Sequence, residues 1–139
     1  MVRRDVVAAR VARAAAWLDD VERTFAGPVE TLLADVKERD LALFYLFLAI
    51  QECIDLAAHW VADEGWSPAD DAGSTFDVLA GRGVIDVETA EALRSAAGLR
   101  NRIAHGYALL DARRVRDEAR QGLPSLRAFL SAAARAAGL

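Results

Sequence analysis

Leu41-Ala42-Leu43-Phe44-Tyr45-Leu46-Phe47-Leu48-Ala49-Ile50 is an unbroken run of apolar and aromatic residues. Wound into a helix at ~100° per residue, it carries an apolar side chain on every face. A helix wetted on one side would not tolerate that, so this run must be covered on both sides. Either a large single-domain core covers it, or a second copy of the chain does so across a homodimer interface. The run is too short to span a bilayer, which takes about 20 residues. It sits in a helical region expected from about residue 29 to residue 64, with a bend near residues 37–40.

Outward from this run, the remaining pattern is also helical. Val7, Val11, Ala14, Leu18 and Val21 form an apolar stripe at helical spacing, which predicts a first helix over residues 3–25, ended by Gly27-Pro28. Residues 65–73 read as a loop. Ser74-Thr75-Phe76-Asp77 resembles a capping box that opens a short helix through Ala80, with Gly81 and Gly83 closing it. Asp86 is a good N-cap for the next helix, which turns Ala90, Leu93, Ala97 and Ile103 inward and ends near Gly106. Asp111 caps a last helix that Gly122 and Pro124 either kink or restart. No stretch alternates as a strand would, and prolines number three. The class is therefore all-α, and 139 residues suit a single domain over 1–139.

Charge is distributed unevenly. The net charge is −4, which argues against a generic nucleic-acid coat. Residues 25–92 carry three basic and fourteen acidic side chains, whereas residues 94–120 carry seven arginines and three acids. Such a local basic patch can hold phosphates while the acidic remainder discourages nonspecific binding; alternatively Arg113, Arg114, Arg116 and Arg120 form an ordinary solvated helix face. The one cysteine, Cys53, lies in an apolar helical pattern and reads as a small buried hydrophobe in a reducing compartment. The first residues show no export signal, so a cytoplasmic protein is expected.

Within the basic segment stands Gly98-Leu99-Arg100-Asn101-Arg102-Ile103-Ala104-His105-Gly106-Tyr107. Arg100 and Tyr107 are seven apart and nearly superimpose on a helix, while Asn101, Arg102 and His105 share an adjacent stripe. A phosphate near the boundary could be clamped by Arg100 or Arg102 while His105 points at a ribose hydroxyl. RNA cleavage by its own 2′-hydroxyl needs a base, a cation for the dianionic phosphorane and an acid for the leaving oxygen. His105 and Arg100 cover two of these roles, and a two-fold dimer would bring a second copy of each. His59, in another helix, is not an obvious second histidine. Two histidines and one cysteine offer no clustered ligand set, and there is no Walker loop, dinucleotide fingerprint or Gly-x-Ser-x-Gly, so neither metal nor cofactor is expected.

Arg100, His105 and Tyr107 form Arg-x4-His-x-Tyr, and the fuller Gly-Leu-Arg-Asn-x-x-x-His-Gly-Tyr resembles the HEPN superfamily, specifically its HepT-like toxin branch. The resemblance extends more softly over residues 5–130 and includes Ala49-Ile50-Gln51-Glu52-Cys53-Ile54-Asp55-Leu56-Ala57-Ala58-His59 as the family's second long helix. It implies an up-and-down bundle of four to five helices, a shared site in a homodimer, and a metal-independent ribonuclease toxin. It also implies a nucleotidyltransferase antitoxin that attaches AMP to Tyr107. Asp55 is a candidate for orienting Arg100 or His105, because a carboxylate in an apolar helix needs a partner; an Asp55–His59 pair or contact with solvent is the alternative. A non-catalytic nucleotide-binding or scaffold subunit of a nucleotidyltransferase pair is the competing function, and a purely structural four-helix protein a third.

Overall fold

A computed structural model describes residues 1–106 and 110–139 of the chain. Among the described residues there are six helices: α1 (Arg4–Ala26), α2 (Val29–Ala34), α3 (Val36–Asp63), α4 (Ala72–Gly81), α5 (Val87–Gly106) and α6 (Ala112–Ala136). The all-α reading holds, and the count exceeds the expected four to five because the second helical region is two helices. Asp35 adopts extended backbone, and its carboxylate accepts from the Glu38 N–H at 3.1 Å. A capping aspartate of this kind starts a new helix, so the expected bend falls at Asp35 rather than at residues 37–40.

Two further expectations are corrected. The cap of α4 is Asp71, which accepts from the Ser74 N–H at 2.7 Å, so the helix begins two residues before Ser74. An ionised oxygen satisfies that donor more strongly than a hydroxyl. α6 runs as one helix through Gly122 and Pro124 instead of restarting. Its stripe of Val115, Ala119, Leu123, Leu126, Leu130 and Ala133 is buried on both sides of the proline, and this continuous packing outweighs the one lost hydrogen bond. Elsewhere the caps are as expected: Asp86 accepts from the Thr89 N–H at 2.7 Å and Asp111 from the Arg113 N–H at 3.0 Å.

The long helices α1, α3, α5 and α6 form a ring of packed neighbours, with α4 against α3 and α5 and α2 against α1 and α3. Contacts along the ring show that neighbours run antiparallel. The Met1 ammonium donates to the Asp63 carbonyl oxygen at the far end of α3, and Arg4 donates to the Gly138 carbonyl oxygen beyond the end of α6. Across α3 and α5, Gln51 meets Arg100 while Leu43 and Phe47 share a groove with Ile103 and Ala104. The result is an up-and-down bundle. α3 touches every other helix. Its length and composition would suit a membrane span, but most of it lies inside the bundle, as a core helix does.

That burial is incomplete. Ala42, Leu43, Leu46, Ala49 and Ile50 are enclosed, yet Leu41 is 43% exposed and Phe44 53% exposed. Of the two covers expected for residues 41–50, the single-domain core supplies only one side.

Candidate functional site

Arg100, Asn101, Arg102 and His105 all stand on the last turns of α5, which ends at Gly106. The helix is held by Ala90, Leu93, Ala97, Leu99 and Ile103, which are buried against the ring, so the polar residues between them face outward. Arg100 is half-buried in the groove between α5 and α3, and its side chain is fixed at both ends. Nη1 donates to Gln51 Oε1 at 2.7 Å, and Nε donates to Asn101 Oδ1 at 3.1 Å, with Nη2 turned to the same oxygen. Asn101 lies one turn before His105 on the same stripe. The Arg100–Asn101 bond therefore draws the guanidinium from its own stripe toward that of the histidine, whose ring is exposed.

Gln51 was not marked by sequence reasoning, and it links the site to Asp55. Its Nε2 donates to Asp55 Oδ1 at 2.9 Å. The amide can only sit this way round, because arginine offers donors alone and an ionised carboxylate acceptors alone. Asp55 thus reaches Arg100 through one intervening amide, and its other oxygen lies 3.9 Å from Arg10 Nη1 of α1. It is Gln51 and Arg10 that engage Asp55, rather than His59, which is exposed.

Behind Asp55 lies a buried charge cluster. Glu52 is 7% exposed and accepts from Arg10 Nη1 at 2.7 Å and from Arg13 Nη1 at 3.4 Å. Arg10 Nε is buried without a partner among the described residues. Glu52, like Asp55, is a carboxylate in an apolar helix and so demands a cation, a signal visible in the sequence because Arg10 and Arg13 stand at i and i+3 on α1. Cys53 beside it is buried, and that burial, with the Glu52 charge added, pushes its thiol pKa up, so it stays a protonated and unreactive hydrophobe.

The basic segment divides. Arg102 turns away from Arg100 and pairs with Glu118 of α6, so the two arginines do not form a common clamp. They are two residues apart, which on a helix means nearly opposite faces. Arg116 is also structural: its Nε donates to the Phe25 carbonyl oxygen at 3.1 Å and its Nη2 to that of Gly27 at 3.0 Å, closing the C-terminal end of α1. Arg113, Arg114 and Arg120 remain exposed. Tyr107 lies outside the described residues.

Beside the motif is an apolar groove of about 390 Å³ lined by Asp40, Leu43, Phe44, Phe47, Ile103 and Ala104. It joins the uncovered face of α3 to the last turn of α5.

A family model described as ribonuclease HepT-like matches residues 16–133. Two curated proteins of Archaeoglobus fulgidus, both named as candidate RNases, are similar. One is 34% identical over 98 residues, covering 70% of this chain and 74% of the relative. The other is 39% identical over 70 residues, covering 50% and 52%. Among solved structures, a tri-AMPylated Shewanella oneidensis HEPN toxin in complex with an MNT antitoxin superimposes with a TM-score of 0.83 at 20% identity, over 92% of this chain and 96% of that one. A toxin–antitoxin structure with AMP-PNP gives a TM-score of 0.84 at 20% identity and the same coverage. At that identity these two show the fold.

Proposed function

This chain belongs to the ribonuclease HepT-like family, and from that premise we propose that it is a toxin ribonuclease that cuts RNA without a metal ion. The observation that carries the reading is Arg100: a half-buried guanidinium beside an exposed histidine stripe, held by two neutral amides and by no carboxylate among the described residues. A cation fixed in place with its charge unspent suits a phosphorane whose charge grows in the transition state.

In the mechanism His105 takes the proton of the ribose 2′-hydroxyl, the 2′-oxygen attacks phosphorus, and Arg100 stabilises the equatorial oxygens. The bond to the 5′-oxygen breaks, and that oxygen leaves as a hydroxyl after receiving a proton. The products are a 2′,3′-cyclic phosphate and a 5′-hydroxyl. The second acid–base group is His105 of a second copy, in a homodimer formed on the uncovered face of α3 at Leu41 and Phe44. Asn101 steadies the Arg100 guanidinium, and Asp55 orients it through Gln51. Arg102, paired with Glu118, serves substrate only at the margin of the site.

Control comes from a partner nucleotidyltransferase antitoxin, in keeping with the HEPN toxin–antitoxin neighbours. It transfers the adenylyl group of ATP to the phenol oxygen of Tyr107 and releases pyrophosphate. The added bulk and negative charge then occupy the position of the RNA phosphate. A phenol with an ordinary pKa near 10 is a poor base at neutral pH, so modification suits Tyr107 better than proton transfer.

The test is cleavage of an RNA oligonucleotide in excess EDTA, with products identified by mass. A cyclic phosphate is expected, and a substrate carrying one 2′-deoxy sugar at the scissile position should stay intact. Cleavage of that deoxy substrate, or dependence on an added divalent ion, overturns the mechanism.

A further inference from the structure

The charges around Arg100 balance in an uneven way. Glu52 and Asp55 of α3 face Arg10 and Arg13 of α1, two anions against two cations: Arg10 lies 2.7 Å from Glu52 and 3.9 Å from Asp55, and Arg13 lies 3.4 Å from Glu52. Arg100 of α5 approaches this neutral cluster from the other side and stops one amide short of it, at Gln51. α4 adds nothing here, since its Asp77 is engaged by Arg94 at 2.6 Å. Had position 51 been a carboxylate, Arg100 would be in a direct ion pair; had it been apolar, the guanidinium would lose its bond to α3 without gaining a neutralising charge.

We propose that Gln51 is a positioning residue that fixes Arg100 through a neutral hydrogen bond at a point where a carboxylate would neutralise it, so that the full cationic charge remains for a phosphodiester. The inference rests on the ribonuclease reading and deepens it. Its physical basis is that a dipole holds a guanidinium in place without cancelling its field, whereas a carboxylate in contact cancels it and competes with the phosphate for the same N–H donors.

Gln51→Glu is isosteric and tests the claim, with Gln51→Leu as the variant that removes the hydrogen bond without adding charge. Near pH 8 Gln51→Glu should cleave RNA at least ~10-fold more slowly than the wild type. As pH falls below the ordinary glutamate value of ~4.3 the introduced carboxyl, held low by Arg100, protonates, and the ratio of variant to wild-type rate should rise. Gln51→Leu should lose less activity, with a ratio that does not change with pH. Binding of a non-cleavable 2′-deoxy oligonucleotide gives a second readout: for Gln51→Glu the slope of log affinity against log salt should shrink by ~0.7, one single-strand phosphate contact, while Gln51→Leu keeps the wild-type slope. If Gln51→Glu cleaves and binds as the wild type does, or if both variants fall together with pH-independent ratios, the proposal is overturned and the ribonuclease reading stands. Wild-type protein that binds the oligonucleotide without cutting RNA strikes the ribonuclease reading and leaves the salt slopes to decide on Gln51. Wild-type protein that does neither overturns both.

Discussion

The Arg100 guanidinium crosses from α5 to α3 and donates to Gln51 Oε1 at 2.7 Å while also bonding Asn101 on its own helix. Two acceptors on different sides of one planar fork require the geometry of arginine. Arg100→Lys should therefore behave much like Arg100→Ala, and both should lose ~10²-fold or more in cleavage, as should His105→Ala. Single-turnover rates on a fluorescent RNA check this. A lysine variant within a few fold of wild type would show that charge alone suffices.

Leu41 and Phe44 leave α3 open on the side that carries the groove with Ile103 and Ala104. Phe44→Asp should turn a dimer into a monomer at micromolar concentration, by light scattering after gel filtration, and should lower cleavage in parallel. A wild-type monomer at the same concentration speaks against the shared site.

Arg116 is 14% exposed along its side chain and serves the carbonyl groups at the end of α1. Arg116→Ala should destabilise the fold by about 2–3 kcal/mol through two charge-assisted bonds lost, while the folded fraction keeps wild-type RNA affinity. Urea unfolding and a binding titration separate the two. A variant of unchanged stability with weakened RNA binding would return Arg116 to a phosphate-binding role.

Two helix caps link stability to acid pH. The Ser74 N–H on Asp71 and the Thr89 N–H on Asp86 hold both carboxyls below the usual carboxylate range. A depressed folded-state pKa means that the stabilisation is present above the unfolded value, about 3.9, and is lost as pH falls through the folded value. Thermal midpoints of the wild type should drop below pH ~4, and the Asp71→Asn, Asp86→Asn double variant, whose amide caps do not titrate, should drop less. Equal slopes for the two proteins would place the acid sensitivity elsewhere.

Tyr107→Phe should keep much of the cleavage activity and escape neutralisation by the partner. Intact mass after incubation with partner and ATP decides it: AMP on the wild type and none on the variant is expected. AMP on both, or modified protein that cuts RNA as fast as unmodified protein, overturns this account of control.

Much of the molecule was legible before the fold. Helical spacing alone identified Val7, Ala14, Leu18 and Val21 as inward residues of α1 and Ala90, Leu93, Ala97 and Ile103 as those of α5, because a period of 3.6 residues is a local property. Capping at Asp86 and Asp111 was legible for the same reason, and the order of Arg100, Asn101, His105 and Tyr107 pointed to the family. Local signals failed where two of them competed, as at Asp71 against Ser74, and they left α6 open between a kink and a restart at Pro124, where packing keeps one helix.

What the chain determined by itself, then, was the helical regions, their inward faces and the family motif at one helix end, all matters of neighbours within about one turn or two. The tertiary structure alone decided which of three arginines is held without a carboxylate or a backbone carbonyl of another helix among the described residues. Arg100, Arg102 and Arg116 look alike in a line of text, but the crossing of α5 over α3 gives the first to Gln51, the packing of α6 gives the second to Glu118, and the end of α1 takes the third. Partners 49, 16 and 91 residues apart in sequence are set by how helices pack, and no local periodicity encodes that distance.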